Sequence, residues 1–167
     1  MILKPPSRKK NCQPIEVVSS QPNWVELLVP CTREAVDDTQ GFLATLDADL
    51  PQELRDMIRV AARELMYNAV EWGGNLDPDQ RVRVVQMRLP RLLVYRIADP
   101  GEGFTFEGMR HASTGEAKGA GLAAIARARE KLGIRPGGLG IAMSRAIADE
   151  IIYNEKQNEV VMIKYLK

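Results

Sequence analysis

The segment Leu54-Arg55-Asp56-Met57-Ile58-Arg59-Val60-Ala61-Ala62-Arg63-Glu64-Leu65-Met66-Tyr67-Asn68-Ala69-Val70-Glu71-Trp72-Gly73-Gly74 organises the chain. Leu54, Ile58, Ala61, Leu65 and Trp72 recur at helical spacing along one stripe, so this stretch reads as an amphipathic helix. Pro51 fits its first turn and Gly73-Gly74 its end. Asn68 stands on the stripe between Leu65 and Trp72, where an apolar residue belongs, and Glu64 precedes it by four residues on the same face. A buried amide left unpaired costs about 1 to 3 kcal/mol, so a ligand, a metal ion or a backbone group must satisfy Asn68. Taken alone, the pair is explained more simply by a core amide with protein partners and a solvated carboxylate.

Upstream, Ile15 to Ser20 and Trp24 to Val29 are rich in apolar and β-branched residues around Gln21-Pro22-Asn23, which reads as two short strands or one interrupted strand. Thr32 to Leu46 predicts a helix with Ala35, Val36, Phe42, Leu43 and Leu46 inward, although Gly41 interrupts it. Downstream, Arg81 to Leu89 and Leu92 to Ala98 alternate as a hairpin about Pro90-Arg91. Leu122 to Leu132 and Ile141 to Ala148 predict further helices, and Glu150 to Asn154 with Glu159 to Leu166 a closing hairpin about Lys156-Gln157-Asn158. The expected fold is α+β: a two-layer α/β sandwich whose mixed, mostly antiparallel sheet carries its helices on one face.

The 167 residues suit one domain, read as 15–167 behind a basic, proline-broken flexible tail at 1–14. Hydrophobic residues at 45% and charged residues at 27% match a packed domain. A net charge of +1 supplies no field for nucleic acid or an anionic membrane, so neither is an expected partner. No signal-peptide or membrane-spanning run is found, and Cys12 and Cys31 fit neither a disulfide framework nor a zinc pattern, so the expected location is cytoplasmic. The seven methionines read as core filling and the sole histidine, His111, as a solvated loop residue.

Two glycine segments carry the remaining chemistry. Asp99-Pro100-Gly101-Glu102-Gly103 sits at a predicted strand end, where the glycines permit a sharp turn and close approach. An ionised Asp there can accept a hydrogen bond from an exocyclic amine such as that of adenine, but an ordinary Pro-Gly turn accounts for the segment equally well. Pro136-Gly137-Gly138-Leu139-Gly140-Ile141 leads directly into a helix, where free N–H groups and the positive dipole end suit a phosphate; a tight loop is the plain alternative. No P-loop sequence occurs.

In this order the three segments resemble the GHKL ATPase superfamily, with its Bergerat ATP-binding fold, which includes gyrase, the MutL proteins and histidine kinases. Glu64-Leu65-Met66-Tyr67-Asn68-Ala69 is similar to its N box, Asp99-Pro100-Gly101-Glu102-Gly103 to its first glycine box and Gly138-Leu139-Gly140 to its second. The small size, short N-terminal strands and Gly-Gly-Leu-Gly-Ile ending resemble the RsbW-like anti-sigma factor serine kinases. The resemblance implies ATP and Mg²⁺ as cofactors, with Asn68 coordinating the metal that bridges the phosphates. It implies Glu64 as the catalytic group acting on the attacking hydroxyl, and Asp99 as acceptor of the adenine amine. Gly101 and Gly103 would shape that pocket, and Gly138, Leu139 and Gly140 would line the phosphates.

Lys118-Gly119-Ala120-Gly121 also resembles a second glycine box; the later segment is preferred because a helix and the terminal hairpin follow it, leaving Gly119 and Gly121 to the lid. The implied activity is phosphorylation of a Ser or Thr on an anti-anti-sigma protein of the STAS type, with a sigma factor as a further partner and a homodimer as the assembly. A non-catalytic, ATP-gated binding module and a detached ATP domain of a two-component kinase are the alternatives.

Overall fold

The computed structural model describes residues 13–103 and 140–167. Two strands open the fold, β1 (Glu16–Gln21) and β2 (Trp24–Pro30), followed by helices α1 (Arg33–Leu46) and α2 (Gln52–Asn68). Strands β3 (Arg81–Leu89) and β4 (Leu92–Ala98) form the next hairpin; α3 (Gly140–Ile147), β5 (Glu150–Tyr153) and β6 (Glu159–Tyr165) complete the described chain. The strands form one six-stranded sheet in the order β1-β2-β3-β4-β6-β5. Every ladder is antiparallel, which resolves the expected mixed, mostly antiparallel sheet.

The register explains the core. Leu27 pairs with Val84, Val84 with Ile97 and Ile97 with Val160, so one apolar row crosses four strands. Val25, Gln86, Tyr95 and Met162 form the neighbouring row. Ala35, Val36 and Leu43 of α1 join Ile58, Ala61 and Leu65 of α2 in the same buried cluster as these rows. Leu27 and Leu43 are 1% exposed, and truncating either to Ala is expected to cost about 2 to 5 kcal/mol.

Local signals set the helix ends. Thr32 caps α1, its Oγ1 accepting the Ala35 N–H at 3.2 Å, a bond of the kind that contributes about 1 kcal/mol. The inward face of α1 differs from the sequence expectation: Thr39 and Gln40 are buried beside Val36 and Leu43, while Phe42 and Leu46 are exposed. The polar pair takes the inward positions one turn before Leu43, which rotates Phe42 and Leu46 toward solvent. No helix among the described residues is long and apolar enough to cross a membrane.

Helix α2 does not stop at Asn68. It continues as a π-helical turn, Ala69–Gly73, closed by the Gly74 N–H donating to the Ala69 carbonyl at 2.9 Å. The wider turn breaks the 3.6-residue stripe, so Trp72 is half-buried at a cleft rather than continuing the core row of Leu65. Asn68 is likewise half-buried at the cleft wall, not enclosed in the core.

Candidate functional site

The cleft lies where the C-terminal end of α2, the end of β4 and the β5–β6 turn meet. It is open to solvent on one side and mixes apolar walls with a few polar groups, the kind of lining that takes a small molecule. Leu65, Ile97, Ile141 and Val160 supply apolar lining, and Asn68, Trp72, Asp99 and Asn158 bring polar atoms to it. An apolar slot with a few placed polar groups fits a planar base carrying hydrogen-bonding edges.

Asp99 follows β4 directly, and two glycines create its position. A Cβ on Gly73 would overlap the Asp99 carboxyl group, so the carboxylate rests against the bare Cα at the end of α2. A Cβ on Gly101 would come within 2.8 Å of Asp99 Oδ1 and 2.9 Å of the Gly73 Cα. Oδ1 accepts the Gly101 N–H at 2.8 Å, while Oδ2 takes no hydrogen bond among the described residues. Burial pushes the Asp99 carboxyl above the ordinary aspartate range, against the opposing pull of the Gly101 N–H and of Lys156. The cleft therefore holds a desolvated acceptor with one oxygen available to a donor such as an exocyclic amine.

The β5–β6 turn forms the other side of this loop. Asn158 donates from Nδ2 to the Gly101 carbonyl at 3.1 Å, and its own carbonyl accepts the Asp99 N–H at 2.9 Å. Gly103 has a φ of 87° and lies against the Lys156 carbonyl, where any side chain would collide. Here both conformation and space require glycine.

The opposite end of the cleft is set by α2 and α3. Asn68 lines the cleft; Glu64, one turn earlier and half-buried, lies outside that lining against α3. Gly140, the first residue of α3, is buried with its Cα facing Glu64, and an added Cβ would stand 2.6 Å from Oε2. Ser144 draws the two helices together, its Oγ lying 2.7 Å from the Gly140 carbonyl and 3.1 Å from the Ala61 carbonyl. Of the glycines singled out as a phosphate cradle, Gly140 is thus placed beside the Glu64–Asn68 face. Gly138 and Leu139 lie outside the described residues, as do Gly119, Gly121 and His111.

Asn68, Asp99, Gly101 and Gly103 share one cleft, with Glu64 and Gly140 adjacent to it. Trp72, Gly73 and Asn158 belong to the same site and were not singled out from the sequence. From the sequence, Gly73 reads only as a helix stop and Asn158 only as a turn residue. Cys31 packs under the neighbouring Gly74, and burial, with Asp77 and Asp99, pushes its thiol up to about 11, which makes it a packing group rather than a nucleophile.

The donor set fits a Mg-nucleotide. Mg²⁺ takes oxygen ligands and keeps most of its waters, so one amide oxygen in an open cleft, as Asn68 offers, suffices as protein anchor. Asp99 Oδ2 suits the amine of adenine, and the missing side chains of Gly73 and Gly101 leave the room in which the Asp99 carboxylate itself is seated.

A family model described as a histidine kinase-like ATPase domain matches residues 29–164. No curated protein matches the sequence. The chain belongs to the histidine kinase-like ATPase family of the GHKL superfamily, and its fold is that of an ATP-binding domain.

Proposed function

We propose that the chain is an ATP-dependent protein serine/threonine kinase of the RsbW-like anti-sigma factor type. It transfers the ATP γ-phosphoryl group to a Ser or Thr of an anti-anti-sigma protein of the STAS type and thereby regulates a sigma factor in the cytoplasm. The observation that carries this reading is the division of labour along α2: Asn68 lines the cleft with Asp99, while Glu64 lies one turn away, outside the lining.

Asp99 receives the adenine amine through Oδ2, and the apolar lining from Leu65, Ile97, Ile141 and Val160 excludes water from the base. Asn68 would hold Mg²⁺ by its amide oxygen, and the ion would neutralise charge on the phosphates. Glu64 orients the incoming hydroxyl and accepts its proton as that oxygen bonds to the γ-phosphorus and the bond to the β–γ bridging oxygen breaks, leaving ADP. The protein's contribution is positioning and electrostatics rather than covalent chemistry.

The test is incubation with labelled ATP, Mg²⁺ and the STAS proteins encoded in the same genome. Label on a Ser or Thr of one of them is the expected result. Tight ATP binding without transfer to any of them would assign an ATP-gated binding module instead. Label on a histidine of another chain would assign a detached two-component ATP domain.

A further inference from the structure

We propose that Asn158, in the β5–β6 turn, is a positioning residue for base recognition, fixing the loop that carries Asp99 so that the cleft selects a purine bearing an exocyclic amine. The inference rests on the reading of Asp99 as the adenine acceptor and names a determinant of that specificity.

Gly101 is held by both of its backbone polar groups. Its N–H goes to Asp99 Oδ1 at 2.8 Å and its carbonyl receives Asn158 Nδ2 at 3.1 Å. The Asp99 N–H donates to the Asn158 carbonyl at 2.9 Å, so one residue of the turn grips the Asp99–Gly101 loop at two points. A lone hydrogen bond to an exposed turn would set little, but this one is braced from behind. Asn158 Oδ1 accepts Asn154 Nδ2 at 2.8 Å, and Asn154 Oδ1 in turn accepts the Asn158 N–H at 3.0 Å and the Glu159 N–H at 3.1 Å. The same brace fixes the amide orientation of Asn158: with Oδ1 occupied by a donor, Nδ2 is the atom presented to the Gly101 carbonyl.

The geometry leaves the loop few other ways to hold Asp99. Gly73 blocks the carboxylate on one side and Gly101 abuts it on another, so a small shift of the loop moves Oδ2, the oxygen that takes no hydrogen bond among the described residues, relative to the base. A fixed acceptor aimed at a donor on the base discriminates strongly, because a ligand lacking that donor leaves the buried acceptor unpaired. Asn158 touches the ligand-binding group through the loop and acts through it.

The experiment compares ATP with ITP, which carries the same triphosphate but an oxo group in place of the amine. Calorimetric affinities are measured in the presence of Mg²⁺ for the wild-type full chain, Asn158→Ala, Asn158→Asp and Asn154→Ala, each with its thermal transition without nucleotide. The wild type is expected to prefer ATP by about tenfold or more. Asn158→Ala compresses that ratio to within about threefold by weakening ATP alone, since only the amine contact depends on the loop's exact placement. Asn158→Asp does so at least as strongly, because a carboxylate oxygen then faces the Gly101 carbonyl. Asn154→Ala, which removes only the brace, gives the same direction with a smaller change and carries the test if Asn158→Ala does not fold. Parallel weakening of ATP and ITP at an unchanged ratio, or no change, would overturn the role of Asn158 while leaving ATP recognition by Asp99 intact. A wild type that binds ATP and ITP equally would overturn the Asp99 reading itself, and this proposal with it.

Discussion

Asp47 and Asp99 are both carboxylates pushed above the ordinary aspartate range chiefly by burial, yet the protein spends them in opposite ways. Asp47, 3% exposed beyond the end of α1, is surrounded by donors: Gln86 Nε2 at 2.8 Å and the Tyr95 hydroxyl at 3.2 Å on Oδ2, with Arg88 Nη1 at 3.5 Å from Oδ1. Gln86 and Tyr95 are cross-strand partners of β3 and β4, so this cluster ties the α1–α2 connection to the sheet. Asp99 has one backbone donor among the described residues and opens onto the cleft. Desolvation alone therefore does not mark a functional acid: Asp47 faces side chains of the protein, although its Oδ1 takes no hydrogen bond among the described residues, whereas Asp99 faces the cleft. One carboxylate is enclosed by side chains, and the other stands at an open cleft.

The largest effect should come from breaking the closed site. Asp47→Ala leaves the Gln86 amide, the Tyr95 hydroxyl and Arg88 without their shared acceptor, and is expected to lower stability by about 3 to 5 kcal/mol in denaturant unfolding. The folded fraction should keep wild-type ATP affinity. Loss of ATP binding at conditions where the variant is fully folded would show that the two regions are not independent.

Within the open site, Glu64→Ala should separate catalysis from binding. Transfer to the partner protein is expected to fall by about 10², the range for losing a general base, with Mg-ATP affinity kept within a few-fold because Glu64 lies outside the cleft lining. Equal transfer rates would remove Glu64 from the mechanism. Gly73→Ala probes the packing that shapes Asp99: the new methyl overlaps its carboxyl group, so a stability loss of about 1 to 3 kcal/mol should accompany weakened ATP binding. Wild-type affinity in this variant would mean that Asp99 is free to move without consequence.

The smallest effect is on pH dependence. Asp99 must be ionised to accept the amine, and its raised pKa means that ATP affinity starts to fall on acidification at a higher pH than an ordinary aspartate would dictate. Apo stability moves the other way. A carboxyl whose folded pKa exceeds its unfolded value favours the folded state as pH drops through the folded pKa, so the Asp99 and Asp47 contributions both rise across that window. Calorimetry and thermal unfolding across mildly acidic pH should show affinity and these contributions diverging, with the affinity step absent in Asp99→Asn.

These contrasts also mark what the sequence made legible. The β3–β4 hairpin has the boundaries its alternation predicts, because Pro90-Arg91 breaks a strict two-residue pattern. Thr32 announces α1, and the Leu54-to-Leu65 stripe announces α2. Beyond Asn68 the pattern misleads, since a π-helical turn shifts the period by a residue and carries Trp72 to the cleft. The Asp47 cluster and the Asn158 clamp were not legible at all. They join residues 39 and 57 positions apart through contacts that no local periodicity encodes. Asp99 stood out only because Pro100, Gly101 and Gly103 surround it; Asp47, followed by Ala48 and Asp49, offers no such signal.

Calorimetric titration of wild type and Asp99→Asn with ATP and GTP in the presence of Mg²⁺ asks whether the cleft is an adenine-nucleotide site whose specificity resides in Asp99. The wild type is expected to prefer ATP, and Asp99→Asn, which faces the adenine amine with an amide able to present a donor, to lose about tenfold or more in ATP affinity while its thermal transition without nucleotide is retained. Equal ATP and GTP affinities in the wild type, or undiminished ATP affinity in the variant, would contradict that assignment.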